Sequence, residues 1–291
     1  MPLTAYPTPL PADKKTGDVI YGAANSTPCR FVWCIVSMFD LPVDLAHIDW
    51  ATDLRSPETL AENPIHSVPW LKNLDTGVCI NGSESIAAYL VAKYRAQIAD
   101  SFMPSDPLAA GVVSEKVAFI MSTMYRATMY QNIYPLMGLM TECQYDICKR
   151  DFTFSICEDW ASKGKGMGGA EVTMADLAYY CVHMGNSWVD DDETFSHLPW
   201  RLKNVKSKYA NLMKVVGRCE SHPGIQAIDK IDLGPTRPNI MAMIGGGAKM
   251  FFGQAKLPKG RTFAHLAETI HPNDVIYTPA EVKATVDIPQ F

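Results

Sequence analysis

The segment Asn63-Pro64-Ile65-His66-Ser67-Val68-Pro69, followed by Glu84-Ser85-Ile86-Ala87-Ala88-Tyr89-Leu90, constrains this chain more than any other. A polar turn delivers Pro69 to the entrance of a short strand, Pro69 to Leu74. A second strand, Val78 to Asn81, then runs into a Glu-Ser pair that opens a helix. An X-Pro bond at a strand entrance is a natural place for a cis peptide, because the tertiary amide weakens the preference for trans. The Glu-Ser pair sets a carboxylate, a hydroxyl and free backbone N–H groups at a helix N-terminus. Together these features make a receptor for the backbone and carboxylate of a small peptide.

The surrounding pattern reads β-α-β-α-β-β-α. Asp18 to Ala24 is β-branched and aromatic, Pro28 suits the first turn of a helix reaching Phe39, and Val43 to Asp49 is a second strand. Ser56-Pro57-Glu58 begins a short helix with a capping residue, a proline at N1 and a first-turn acid. Such an order builds a small mixed sheet with helices on both faces. Beyond Pro107 the apolar period becomes helical and stays so to about Lys230. One long helix is expected from Leu108 to Met140, bent before Pro135, and another from Glu142 to Ser162. After a glycine-rich loop, Thr173-Met174-Ala175-Asp176 has the pattern of a capping box, with Val172 and Leu177 as a staple.

With the Asn63–Ser85 block, the Thr173–Asp176 box and the late segments Lys208–Leu212 and Ser221–Ile225, the chain resembles the glutathione transferase superfamily from about Val19 to Ile228. The resemblance implies an α/β thioredoxin-like N-terminal domain followed by an all-α helical domain. The expected organisation is a flexible arm over 1–16, a thioredoxin-like domain over 17–95 and a linker over 96–106. A helical domain over 107–228 and a C-terminal extension over 229–291 complete it.

Ser26-Thr27-Pro28-Cys29 stands where a thioredoxin-like domain carries Cys-x-Pro-Cys, so the first nucleophile is replaced by a serine. The segment resembles the Ser-type, delta/theta-like transferases, whose serine hydroxyl faces the glutathione sulfur. A glutathione thiol titrates near the free-cysteine value of roughly 8.5, so little of it is thiolate at neutral pH. A donated hydrogen bond and a helix N-terminus both favour the charged form. Alternatively, Ser26 only caps the helix. Cys29 is a competing nucleophile, although the second cysteine position usually points inward. By the resemblance, His66 contacts the glycyl carboxylate, and Val68, before Pro69, offers its backbone to the cysteinyl part. Glu84 receives the γ-glutamyl ammonium and Ser85 its carboxylate. Some Ser-type members carry a basic residue after the Glu-Ser pair, where this chain has Ile86.

Met121, Met124, Tyr125, Met129, Tyr130, Tyr134, Met137 and Met140 recur in the first long helical segment. Such a stripe is core, or it lines an acceptor site for varied apolar ligands. Met121, Tyr125 and Arg126 are the acceptor-pocket candidates. No metal-ligand spacing occurs, and Gly245-Gly246-Gly247 lacks the Lys-Ser/Thr of a phosphate loop.

The formal net charge of −5 argues against general nucleic-acid affinity, and the apolar run Phe31 to Val36 is far too short to span a membrane. The opening 15 residues are proline-rich and polar rather than a leader, and the eight cysteines include no Cys-x-x-Cys pair, so a cytoplasmic protein with reduced thiols is expected. Glutathione as co-substrate, a small apolar electrophile as acceptor, a detoxification role and a homodimer all follow from the resemblance. The extension has Arg237, Lys249, Lys256, Lys259 and Arg261 between Asp232 and Glu268 without an acid, plus Phe251, Phe252 and Phe263. It either packs on the folded body or docks a protein partner. In the latter case the chain is a noncatalytic subunit or adaptor. Thr278-Pro279-Ala280-Glu281 has the start signals of a short helix.

Overall fold

The computed structural model describes residues 17–23, 26–48, 54, 56–128, 144–191 and 205–232, with side chains throughout except at 144–150, 186–191 and 231–232. The arm expected over 1–16, the extension beyond 232, the Thr278 helix start and the stripe from Met129 to Met140 lie outside the described residues.

The first element is β1 (Asp18–Gly22), followed by α1 (Thr27–Met38), β2 (Val43–His47) and α2 (Pro57–Glu62). Then come β3 (Trp70–Asn73), β4 (Cys79–Asn81) and α3 (Ser83–Lys93). The expected β-α-β-α-β-β-α order is therefore present. The sheet runs β2-β1-β3-β4, with β2 parallel to β1 and the other neighbours antiparallel. This is the thioredoxin-like arrangement. Its central strand is apolar on both faces, Val19 and Ile20 being fully buried.

Local signals start the helices as expected. The Ser56 hydroxyl accepts from Thr59 N at 3.1 Å, and Pro57 occupies N1, where its missing N–H costs nothing. Helix α1 is buried almost all round, from Phe31 to Val36, because it lies between the sheet and later helices.

The rest is helical: α4 (Pro107–Ala118), α5 (Tyr125–Thr128), α6 (Gln144–Lys163), α7 (Met174–Asp191), α8 (Val205–Lys208), α9 (Ala210–Ser221) and α10 (Pro223–Asp232). Between α4 and α5, Phe119–Met124 is π-helical. The expected single α-helix is thus interrupted well before Pro135. A π turn holds one extra residue without any Pro or Gly to announce it, so apolar spacing alone does not find it. The capping box is present in both directions: Asp176 N donates to Thr173 Oγ1 at 3.1 Å, and Thr173 N donates to Asp176 Oδ2 at 3.0 Å. Gly168 N also donates to Asp176 Oδ1 at 2.8 Å, which pins the glycine-rich loop to the start of α7.

The described chain falls into two compact units. One holds the sheet and its helices up to 121, with 159–185 and 211–232. The other holds the described parts of 122–158 and 186–210, where Phe154 stacks on Tyr209 at 5.5 Å and Cys157 Sγ lies 3.7 Å from Met124 Sδ. Among the described residues no helix is long and apolar enough to cross a membrane.

Candidate functional site

The loop from Asn63 to Pro69 is shaped from inside by Asn63, whose side chain is fully buried. Its Nδ2 donates to Ser67 O at 2.6 Å, and its carbonyl accepts from His66 N at 3.0 Å. The turn places His66 in the left-handed region at φ 57° and leaves its side chain exposed. The Val68–Pro69 peptide is cis. Val68 packs with Tyr21 on a cluster of Ile48, Leu54 and Trp70, and the Tyr21 and Trp70 rings stack at 4.6 Å. The loop therefore rests on an aromatic floor supplied by β1 and β3.

Pro69 O accepts from Gly82 N at 3.3 Å, joining the loop directly to the start of α3. Gly82 caps that helix at φ 89°, a conformation that suits glycine, and no side chain caps it. The first N–H groups of α3 consequently have no partner within the helix and lie at its positive end. Ser83 is buried and donates to Glu84 Oε2 at 2.7 Å; Glu84 and Ser85 are exposed. Ile86 is fully buried. The position after the Glu-Ser pair points into the core here, and an apolar side chain is what that place accommodates.

Ser26 stands at the start of α1 with extended backbone, φ −87° and ψ 119°, and its hydroxyl makes no cap hydrogen bond to the helix. The capping alternative is therefore not how this side chain is used. It is half-buried, and its neighbour is the Cys29 thiol, to which it hydrogen-bonds. Cys29 is fully buried against Gly22, where an added Cβ would stand 2.8 Å from its sulfur. Burial pushes the Cys29 thiol up to about 12, against the smaller opposing effects of Ser26 and Ala23. Cys29 is accordingly a structural thiol, not a nucleophile.

Strand pairing brings these parts together. Tyr21 is opposite Trp70, so continuing the antiparallel register by one residue sets Gly22 opposite Pro69. Ser26 N donates to Ala23 O at 3.0 Å, which holds the start of α1 next to the end of β1. Met121, by contrast, is buried on the π-helical stretch, Tyr125 is half-buried and Arg126 exposed.

Two residues of this region carried signals that sequence reasoning passed over. Asn63 opens an Asn-Pro turn and organises the whole loop. Arg30 is a charge inside the apolar run from Cys29 to Val36, and in the structure only 2% of its surface is exposed. Among the described residues no group of three or more His, Cys, Asp or Glu side chains is placed to hold a metal.

Residues 20–97 match the family described as glutathione S-transferase, N-terminal domain. A delta-class glutathione transferase of Nilaparvata lugens superposes with a TM-score of 0.60 at 22% identity, over 81% of this chain and 98% of that one. An epsilon-class glutathione S-transferase from the housefly, Musca domestica, gives 0.58 at 25% identity, over 74% and 97%. A glutathione transferase homolog from Drosophila mojavensis, solved with bound glutathione, gives 0.56 at 24%, over 74% and 96%. Residues 20–97 are thus a glutathione S-transferase N-terminal domain, and with its four-stranded mixed sheet, cis Val68–Pro69 and helical remainder the chain has the glutathione transferase fold.

Proposed function

We propose that this protein is a Ser-type glutathione transferase that adds the glutathione thiolate to small apolar electrophiles, with Ser26 as the catalytic residue. The observation that carries the reading is the Ser26 side chain itself. It sits at a helix N-terminus, is not consumed in capping, and follows the strand that pairs with β3, which the cis-proline loop enters. The Ser26 hydroxyl has one proton to donate. A thiolate is a far better acceptor than the neutral Cys29 thiol, so glutathione binding turns that proton to the glutathione sulfur. Val68 supplies backbone groups to the cysteinyl part, His66 meets the glycyl carboxylate, and Glu84 meets the γ-glutamyl ammonium. Ser85 and the first N–H groups of α3 take the γ-glutamyl carboxylate, for which a helix N-terminus is suited. The acceptor lies toward Met121, Tyr125 and Arg126, and the working form is a homodimer in a cytoplasmic detoxification role.

The test is conjugation of a generic aryl halide by wild type and Ser26→Ala, with glutathione binding measured alongside. Loss of the hydroxyl is expected to lower kcat by about tenfold or more with glutathione still bound, since one hydrogen bond to a charged group is worth about 1.5–3 kcal/mol. Unchanged kcat refutes the role of Ser26. Failure of wild type to bind glutathione refutes the enzyme reading and leaves the noncatalytic adaptor, whose contacts would come from the 229–291 extension.

A further inference from the structure

The first turn of α1 carries Ser26, and the groups that hold α1 come from far along the chain. Arg30 N donates to Ser26 O at 2.9 Å, so the two residues share that turn. The buried Arg30 guanidinium donates through Nη2 to the Asp229 carboxylate on α10. The other oxygen of Asp229 accepts from Tyr180 Oη on α7 at 2.6 Å. Nε and Nη1 of Arg30 are buried without a hydrogen-bond partner among the described residues, which leaves Asp229 as the group that compensates the charge. Two close approaches flank this contact. A Cβ on Gly185 of α7 would stand 2.5 Å from Thr27 Oγ1, and one on Gly224 of α10 would stand 2.6 Å from Met38 Cα. Helix α1 is thus held at its start by Gly185 against the Thr27 side chain, at its end by Gly224 against the Met38 backbone, and between them by one ion pair.

We propose that Arg30 and Asp229 are positioning residues for Ser26, fixing the rotation and axial placement of α1 so that the hydroxyl and the helix N-terminus meet the glutathione sulfur. The proposal rests on the glutathione transferase reading above. A buried ion pair adds little net stability over an apolar replacement, but it is directional, and removing one partner leaves a buried charge uncompensated. Catalytic geometry is sensitive to small displacements. The signature of positioning is therefore a raised glutathione thiolate pKa, with binding of the tripeptide largely kept.

Asp229→Asn, Tyr180→Phe, Arg30→Lys and Arg30→Met are made in the full chain. The thiolate absorbance of bound glutathione is titrated, kcat and KM are separated, and native alkylation by iodoacetamide is read peptide by peptide. Asp229→Asn is expected to raise the thiolate pKa by about one unit and lower kcat by about tenfold, with KM for glutathione within about threefold. Cys29, in the same turn as Ser26, gains reactivity while the buried Cys157 of the other unit stays protected. Tyr180→Phe keeps the ion pair and gives the same changes in smaller measure, which preserves the test if Asp229→Asn does not fold. Arg30→Lys retains more of kcat than Arg30→Met. A lowered Tm with unchanged thiolate pKa and a still protected Cys29 overturns the proposal. So does Cys157 reacting together with Cys29, which marks general unfolding. If wild type binds no glutathione the functional reading falls, and the positioning of the turn is still decided by Cys29 reactivity alone.

Discussion

Asp18→Asn is the sharpest perturbation of the fold beneath the site. Asp18 is fully buried at the start of β1 and accepts from Lys93 at 2.7 Å, Tyr94 at 3.0 Å, Tyr89 at 3.1 Å on both oxygens, and Asn73 at 2.7 Å. It thereby ties the C-terminal end of α3, whose other end carries Glu84 and Ser85, to the central strand. An asparagine has the same shape but only one acceptor oxygen. With that oxygen turned to Lys93 and Tyr94, its NH2 faces Asn73 Nδ2, donor against donor. Asn73 does not escape by flipping its amide, because its Oδ1 already accepts from Thr76 N at 2.9 Å and Thr76 Oγ1 at 2.8 Å. Loss of a charged hydrogen bond costs about 1.5–3 kcal/mol, discounted here because Lys93 is about one-third exposed, and an unsatisfied buried donor costs about 1–3. The sum is about 2–4 kcal/mol, or a Tm lowered by roughly 5–15 °C at neutral pH.

The same carboxylate gives a pH signature. Burial alone would raise the Asp18 pKa, yet the hydrogen bonds from Lys93, Asn73, Tyr94 and Tyr89 together hold it below the ordinary carboxylate value. A depressed folded pKa means that the folded state binds the proton less readily than the unfolded chain. Its stabilisation is present above the unfolded value of about 4 and is lost as pH falls through the folded value. Calorimetric or dichroism melts of both proteins should show the gap in Tm narrowing as pH drops below about 4. A gap that is absent at pH 7, or as wide at pH 3 as at pH 7, refutes this account.

Gly168→Ala is expected to lose about 2–4 kcal/mol, since φ is +81° and a Cβ would stand 2.2 Å from Ala161 O, while Gly77→Ala, at φ +74° with open space, loses only about 1. Denaturant melts that rank the two equally would contradict the steric argument. Native alkylation should label the partly exposed Cys79 before the buried Cys29, whose thiol is pushed up to about 12. Labelling of Cys29 first would show that its turn is open in solution.

The sequence by itself determined what is written within a few residues. The N-caps at Ser56 and Thr173, the proline at Pro57, the strand order and the proline entrance at Pro69 are legible because each depends on bonds inside one turn or on alternation along one strand. Ser26 stood out as a candidate for the same reason, since it lies in a four-residue turn. What depends on packing was not. Whether Cys29 is a nucleophile or a core thiol, and whether Ile86 faces a ligand or the interior, is decided by which side of a helix meets the sheet. The partner of Arg30 lies 199 residues away, and that of Asp18 lies 75 residues away. No local pattern names such partners, because a buried charge is compensated by whatever group the assembled helices bring to it, and only the tertiary structure supplies that group.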